Sequence, residues 1–395
     1  MTEKIKVKDI YCPLPFNHMN WHPNGNISVC CVAEMFPPND GFYRINGRQM
    51  SNLKHDSIKE IWEESSVVDI RKQMLAGEKP PACHTCYKIE DRGGVSRRLN
   101  ERKRWGQNLT KPALEFIDLR MSNLCNSKCM MCYPDSSSSL IKEYSRWEEE
   151  LDFVPKNATE YELFQWFDDK KIEELLEYKD TLKYLYINGG EPFMMPKQWK
   201  LLERLIDEGV SKNIHVSYNT NCSLYEDRFN EIWKEFKIVT LGMSVDAVGD
   251  KNKWIRKPIN TWESINKNIN SLVHADGLDH INLTCTIQWI NLPFMEEYYD
   301  WALPIIEQKE HSTINQNFVT FPGYLSVNAA PKEWKQKVHE KFKQSRHAEH
   351  ILTPTMVSYL EADEESELLY NQGKMFCDSV SKERDNWREV FDYDY

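Results

Sequence analysis

The chain has 395 residues, a formal net charge of -11 and a pI near 5.6, a balance that argues against nucleic acid or an anionic membrane as a whole-surface partner. With 41% hydrophobic and 12% aromatic residues it has the apolar content of a folded protein and not of a disordered one. No apolar run approaches bilayer-spanning length and Met1 to Asp9 lack the apolar centre of a signal peptide; the expectation is a cytoplasmic protein, in which eleven cysteines point to metal or cluster ligation over disulfides.

Cys12-Pro13-Leu14-Pro15-Phe16 reads as too proline-rich for a helix, and Asn24-Gly25 predicts a hairpin turn ahead of the alternating Asn26-Ile27-Ser28-Val29. That hairpin delivers Cys30 and Cys31. Further turns are expected at Pro37 to Gly41 and at Asn46-Gly47. Apolar residues at near-helical spacing from Ile58 to Leu75 predict one helix or two short ones, stopped at Gly77. Pro80-Pro81-Ala82 then leads into Cys83-His84-Thr85-Cys86, a spacing at which two thiolates reach one metal centre. Cys12, Cys30, Cys83 and Cys86 form a candidate four-ligand set, with Cys31 as the alternative to Cys30. Four cysteines alone do not separate zinc from an iron–sulfur cluster.

Cys-Pro-x-Pro-Phe, the Asn-Gly hairpin, the helix start between Leu53 and Trp62 and the closing Cys-x2-Cys together resemble the SPASM/twitch modules that hold an auxiliary iron–sulfur cluster in many radical S-adenosylmethionine (radical SAM) enzymes. Such modules usually follow the catalytic core, whereas this one precedes it. The basic run between Arg92 and Trp105, with Arg97, Arg98, Arg102, Lys103 and Arg104, reads either as a solvated linker helix or as a grip on an acidic peptide or RNA phosphates. Residues 108–112 read as the boundary to the core.

Residues 113–120 predict the first core strand, which runs straight into Cys125-Asn126-Ser127-Lys128-Cys129-Met130-Met131-Cys132. Three thiolates at this spacing can cap three irons of a cubane cluster and leave the fourth open for a ligand. The helical region 140–178 carries Trp147, Phe153, Tyr161, Phe164, Trp166 and Phe167, which read as core or as the lining of a substrate entrance. A second strand, 182–188, ends in Gly189-Gly190-Glu191-Pro192, where glycines permit close backbone approach to a ligand and a carboxylate can pair with an amine. The three-cysteine loop and this Gly-Gly-Glu-Pro strand end resemble the radical SAM superfamily.

That resemblance extends along residues 113–320. It implies that Gly189, Gly190 and Glu191 meet the amino group of SAM, and that Asn219-Thr220-Asn221 stands at a third strand end. There Cys222 occupies the place of the usual glycine and reads as a small buried residue. Ser244 is implied near the ribose or carboxylate of SAM and Arg256 on its carboxylate, with Gln288 and Asn291 as further candidate contacts and Asp246 as a tentative catalytic residue. Strand and helix alternate about six times, with later strands over 238–246, 281–288 and 314–319.

The expected fold is therefore α/β, a partial (β/α)6 TIM-like barrel of the radical SAM type with a small N-terminal iron–sulfur module and a helical C-terminal extension. The expected boundaries are residues 1–108, 109–325 and 326–395. The last segment is polar and resembles nothing, with Cys377 unassigned and Met375-Phe376 marking where it docks. The implied cofactors are a 4Fe–4S cluster on Cys125, Cys129 and Cys132, SAM, and an auxiliary 4Fe–4S or 2Fe–2S cluster. The implied chemistry is reductive cleavage of SAM to a 5'-deoxyadenosyl radical that abstracts a substrate hydrogen atom. An electron donor such as flavodoxin or ferredoxin is implied as a partner, with a peptide or protein as the leading substrate class and a small metabolite as the alternative. The rival readings are a non-catalytic iron–sulfur protein for electron transfer or sensing and a zinc-ribbon interaction protein.

Overall fold

Strand, turn and helix alternate along the chain much as the periodicity predicts. The structure, a computed structural model, describes residues 10–33, 41–45, 49–91, 93–106, 111–156 and 162–392. The expected turns at residues 37–40 and 46–47, Arg92, residues 108–110 of the expected boundary and Tyr161 lie outside these. By internal contacts the chain divides into two units: residues 1–123, 163–217 and 235–237 in the first, and 124–162, 218–234 and 238–395 in the second.

In the first unit, β1 (His18–Trp21) turns through Gly25, at φ +89°, into β2 (Ile27–Ser28) and pairs with it antiparallel. A small hairpin, β3 (Arg44–Ile45) and β4 (Gln49–Met50), follows. On its other edge β1 pairs in parallel with β5 (Phe116–Leu119), which pairs in parallel with β6 (Tyr184–Ile187). The module's first strand is therefore hydrogen-bonded to the first core strand, a continuity that the expected boundary at residue 108 did not foresee.

Two local expectations change. Leu14–Asn17 forms one helical turn with Pro13 at its N-cap and Pro15 in the first turn. Prolines are tolerated there because the first backbone N–H groups have no intrahelical partner to lose. Cys86 sits in the helix His84–Asp91, entered from the 3-10 turn Pro81–Cys83, and not in an isolated tight turn.

The segment from residue 58 is two helices, Ile58–Glu64 and Val67–Leu75, the first opened by a capping box between Ser57 and Glu60. Buried Arg71 on the second helix donates from Nε to Pro15 O at 2.6 Å and from Nη1 to Trp62 O at 2.9 Å. Its guanidinium also lies over the Trp62 ring at 4.0 Å. It thereby fastens the turn that follows Cys12 to the helices.

β7 (His215–Thr220) crosses the division, its last three residues belonging to the second unit. There β8 (Ile238–Ser244), β9 (His280–Ile287) and β10 (Thr313–Phe318) pair in parallel, β8 with β9 and β9 with β10. Helices Gly249–Arg256, Trp262–Val273 and Met295–Ile306 connect them, the alternation expected of an α/β fold. Leu241, Met243, Ile281, Leu283, Cys285 and Ile287 are fully buried on one face.

Beyond residue 331 the segment is helical as expected. Its longest helix, Glu367–Ser381, buries Phe376 against Trp147 and Tyr324, with ring centroids 4.9 and 5.0 Å apart. Met375 is exposed, and Cys377 is completely buried beside Phe376. Trp147, Phe164, Trp166 and Phe167 are core residues. Among the described residues no helix is long and apolar enough to cross a membrane.

Replacing Arg71 by Met keeps the apolar stem but leaves Pro15 O and Trp62 O without this donor. The expected loss is roughly 2 to 3 kcal/mol, read as a lower urea midpoint with an unchanged m-value.

Candidate functional site

Residues 120–129 contain no helix or strand, so the cysteine loop takes its shape from side chains around it. Within the second unit, Asn221 Nδ2 donates to Asn126 Oδ1 at 2.8 Å and to Ser127 Oγ at 2.9 Å, and it lies 3.9 Å from Cys125 Sγ. Asn126 Nδ2 donates to Ser223 Oγ at 2.8 Å, and Ser137 Oγ to Ser127 O at 2.6 Å. The backbone N–H groups of Lys128 and Met130 donate to the carbonyls of Arg256 and Ile255 at 2.9 and 3.0 Å, at the end of helix Gly249–Arg256. Ser127 N–H points at Cys125 Sγ from 3.4 Å, an arrangement that favours thiolate.

Burial pushes the Cys129 thiol upward against the opposing charge of Arg256. Cys132 is pushed higher, by burial and then by Cys129 and Cys125. Cys132 stands close to both Cys129 and Cys125, and iron binding would displace the thiol protons.

Arg256 Nη1 is 3.9 Å from Cys129 Sγ, and its Nε pairs with Asp246 Oδ2 at 2.7 Å. The other Asp246 oxygen accepts from Thr286 N at 2.8 Å, so this buried carboxylate orients Arg256 and the β9 end. The Asn291 amide is engaged internally: its Oδ1 accepts from Gln288 N at 2.8 Å and its Nδ2 donates to Asp246 O and Thr286 O at 2.8 and 3.0 Å. Gln288 differs. It is 0% exposed, yet neither amide atom has a partner among the described residues. Such an orphaned pair costs on the order of 1 to 3 kcal/mol per group and fits a ligand that supplies both a donor and an acceptor.

Asn219 is exposed and lies over Gly242, where any Cβ would stand 2.2 Å from Asn219 Oδ1. Ser244 is half-exposed on the same face as Gly242. Cys222 is buried at φ +58°, the left-handed conformation that explains why glycine suits this place.

In the first unit, Gly189 and Gly190 both have positive φ, +79° and +59°. A Cβ on Gly189 would lie 2.7 Å from Arg120 Cβ. Buried Glu191 accepts from Phe193 N at 3.2 Å and caps the turn Pro192–Met194. Asn188, just before, donates to buried Asp118 Oδ1 at 2.7 Å.

The second cysteine group also lies in the first unit. Cys12, Cys30, Cys83 and Cys86 line one recess, together with Arg97, Arg98 and apolar side chains. Burial pushes the Cys12 thiol well up, with Cys83, Cys30 and Cys86 adding to the push, and raises Cys30 to about 12. Cys31 is exposed, outside the recess, and accepts from Arg97 Nη1 at 2.7 Å. Among the described residues no three His, Cys, Asp or Glu side chains close on a single ion position. The recess brings four thiols together without converging them on one point.

The signal for Asn126 and Ser127 lay inside the motif itself. Ser137, Ser223 and Glu143, which pairs with Lys128 at 3.1 Å, carried none that spacing could supply.

Parallel strands, a loop carrying three thiols and a recess lined by four more define an α/β protein with two candidate metal or cluster sites. Comparison with known proteins makes this specific. The Radical SAM superfamily pattern matches residues 119–288, and the SPASM iron–sulfur cluster-binding domain matches residues 12–87. The match to the radical SAM superfamily thus covers the α/β core and is preceded in sequence by the match to the SPASM domain. The cofactors of these domains are a 4Fe–4S cluster with SAM and an auxiliary iron–sulfur cluster.

The radical SAM cyclopropyl synthase TigE of Paramaledivibacter caminithermalis is 25% identical over 204 residues, covering 47% of this chain and 41% of that protein. GTP 3',8-cyclase of Psychromonas ingrahamii is 22% identical over 191 residues, covering 45% and 49%. The chain thus spans less than half the length of either relative. Streptococcus suis SuiB, solved bound to the precursor peptide SuiA, aligns at 15% identity and a TM-score of 0.38, over 66% of this chain and 58% of that one.

Cys30→Ser is expected to lose the auxiliary share of bound iron and sulfide, whereas Cys31→Ser retains it. Iron and sulfide analysis of anaerobically reconstituted protein checks the pair.

Proposed function

We propose that this chain is a radical SAM enzyme that modifies a peptide or protein, with Cys125, Cys129 and Cys132 holding the SAM-cleaving cluster. The domain division at residues 108 and 325 is part of the same proposal. When bound, the cluster and SAM supply a one-electron cleavage that leads to removal of a hydrogen atom from a substrate carbon. The chain's own residues supply position and charge. Asn221 and Ser137 hold the loop, and Arg256, oriented by Asp246, sets a cation beside Cys129. Gln288 offers its free amide to SAM, with Asn291 fixing the backbone beneath it. Gly189 and Gly190 permit backbone approach, and Glu191, Asn219 and Ser244 are the further contacts proposed. Cys12, Cys30, Cys83 and Cys86 would fill every ligand position of a 4Fe–4S auxiliary cluster, which favours electron acceptance or a structural role over substrate ligation.

The peptide reading rests on one observation. Parallel strands are usually buried on both faces, but β9 strictly alternates buried and half-exposed residues. The open face carries Ser244, Thr284 and Asn315 in one row, Asn282 and Thr313 in the row before it, and Thr286 and Asn317 in the row after. This wall is all amide and hydroxyl, with no formal charge. It suits the neutral donors and acceptors of a peptide backbone, and it offers no cation to a phosphorylated metabolite.

Reduced, reconstituted enzyme is expected to form 5'-deoxyadenosine from SAM, and Cys129→Ala to form none above background; absence of the product from wild type would sink the proposal. Synthetic peptide pools are expected to stimulate its formation where nucleotides do not. Asn315→Leu combined with Asn317→Leu is expected to lower kcat/KM for a responding peptide roughly thirtyfold, about 1 kcal/mol for each lost hydrogen bond, with peptide-free SAM cleavage unchanged.

A further inference from the structure

The segment beyond β10 has no motif, yet within the second unit one of its side chains reaches the cysteine loop. Arg384 follows helix Glu367–Ser381, and its side chain is 3% exposed. Its Nη2 donates to Lys128 O, inside the loop, at 2.6 Å. Its Nη1 donates to Ile255 O at 3.1 Å and also to Trp254 O. These carbonyls lie where the loop is hydrogen-bonded to the end of helix Gly249–Arg256, so one guanidinium fastens both sides of that junction. Trp254 Nε1 returns the contact by donating to Asp385 O at 2.8 Å.

The same guanidinium belongs to a partly buried charge cluster. Glu143, also 3% exposed, pairs with Arg384 at 3.2 Å, Lys128 at 3.1 Å and Lys257 at 2.6 Å. With Arg256, four cations surround the loop against the carboxylates of Glu143, Asp246 and the half-exposed Glu383, which lies 3.9 Å from Lys257. Burying Arg384 so deeply is costly unless negative charge compensates it. Glu143 is shared three ways, whereas three thiolates carrying a cluster would add negative charge a few residues away.

We propose that Arg384 is a positioning residue for the radical-generating cluster. It locks the Lys128 turn of the loop and supplies part of the positive field that stabilises the reduced cluster. The segment carrying it is then part of the catalytic unit and not an appendage. This rests on Cys125, Cys129 and Cys132 being the ligands.

The test is an EPR-monitored redox titration of reconstituted enzyme, following the cluster whose signal changes on adding SAM. Arg384→Gln removes a cation and is expected to lower the reduced-to-oxidised ratio at fixed poise about tenfold, equivalent to about 59 mV for one electron. Glu143→Gln removes an anion and is expected to shift the ratio in the opposite direction, while Arg384→Lys stays near wild type. Should Arg384→Gln fail to fold, Lys257→Gln takes its place with the same expected sign. Iron loss without a shift in the remaining clusters, or shifts of equal sign in the Arg384 and Glu143 variants, would overturn the proposal. A wild-type protein with no SAM-responsive signal would instead overturn the ligand assignment beneath it.

Discussion

Three cysteines brought together in one irregular loop are the constraint on which the second unit is organised. A stretch without helix or strand has no backbone ladder to hold it in place. The chain answers with hydrogen bonds from three directions. Asn221 comes from just past the end of β7, the Ile255 and Arg256 carbonyls from a helix end, and Ser137 from the turn after the loop. Every one of these groups is polar and largely buried, so each is satisfied only while the loop keeps its shape. The loop is rigid because its supports would be orphaned without it.

The sheet shows the complementary arrangement. β8 and β9 send large aliphatic side chains to one face, where the helices cover them, and the period of two then gives the other face to Ser, Thr and Asn. A sheet with both faces apolar would have packed shut. Gly242 belongs to the same design, since any larger residue would push Asn219 from its place. The open face therefore follows from residue choice at alternate positions and not from a missing helix.

Local features were legible in the sequence. The cysteine spacing, the Gly-Gly-Glu-Pro strand end, the Asn-Gly hairpin and the six core strands depend on neighbours within a few residues, which periodicity and turn chemistry report directly. Cys30 was preferred to Cys31 from alternation along a strand; the strand ends at Ser28, and it is Cys30 that lines the recess while Cys31 is exposed. The turn at Leu14–Asn17 was misread because proline was weighed as a helix breaker, although the first turn has no hydrogen bond for it to remove. Arg384 was invisible for a different reason. Its partners are the backbone carbonyls of Lys128, Trp254 and Ile255, and a carbonyl has the same chemistry whatever residue carries it.

That difference bears on which roles a sequence can reveal. A side chain that binds a cofactor must have particular chemistry at a particular spacing, so it leaves a pattern. A side chain that holds a loop by its backbone needs only reach and charge, and its sequence distance from the loop is unconstrained. Asn291 and Gln288 illustrate both cases three residues apart. Both were read as cofactor contacts from their position at a strand end, yet Asn291 spends its amide on Gln288 N and the carbonyls of Asp246 and Thr286. Only Gln288 keeps both amide atoms unpartnered among the described residues. Position on a strand nominates a residue, and the free valence of its polar atoms decides whether a ligand or the protein itself uses it.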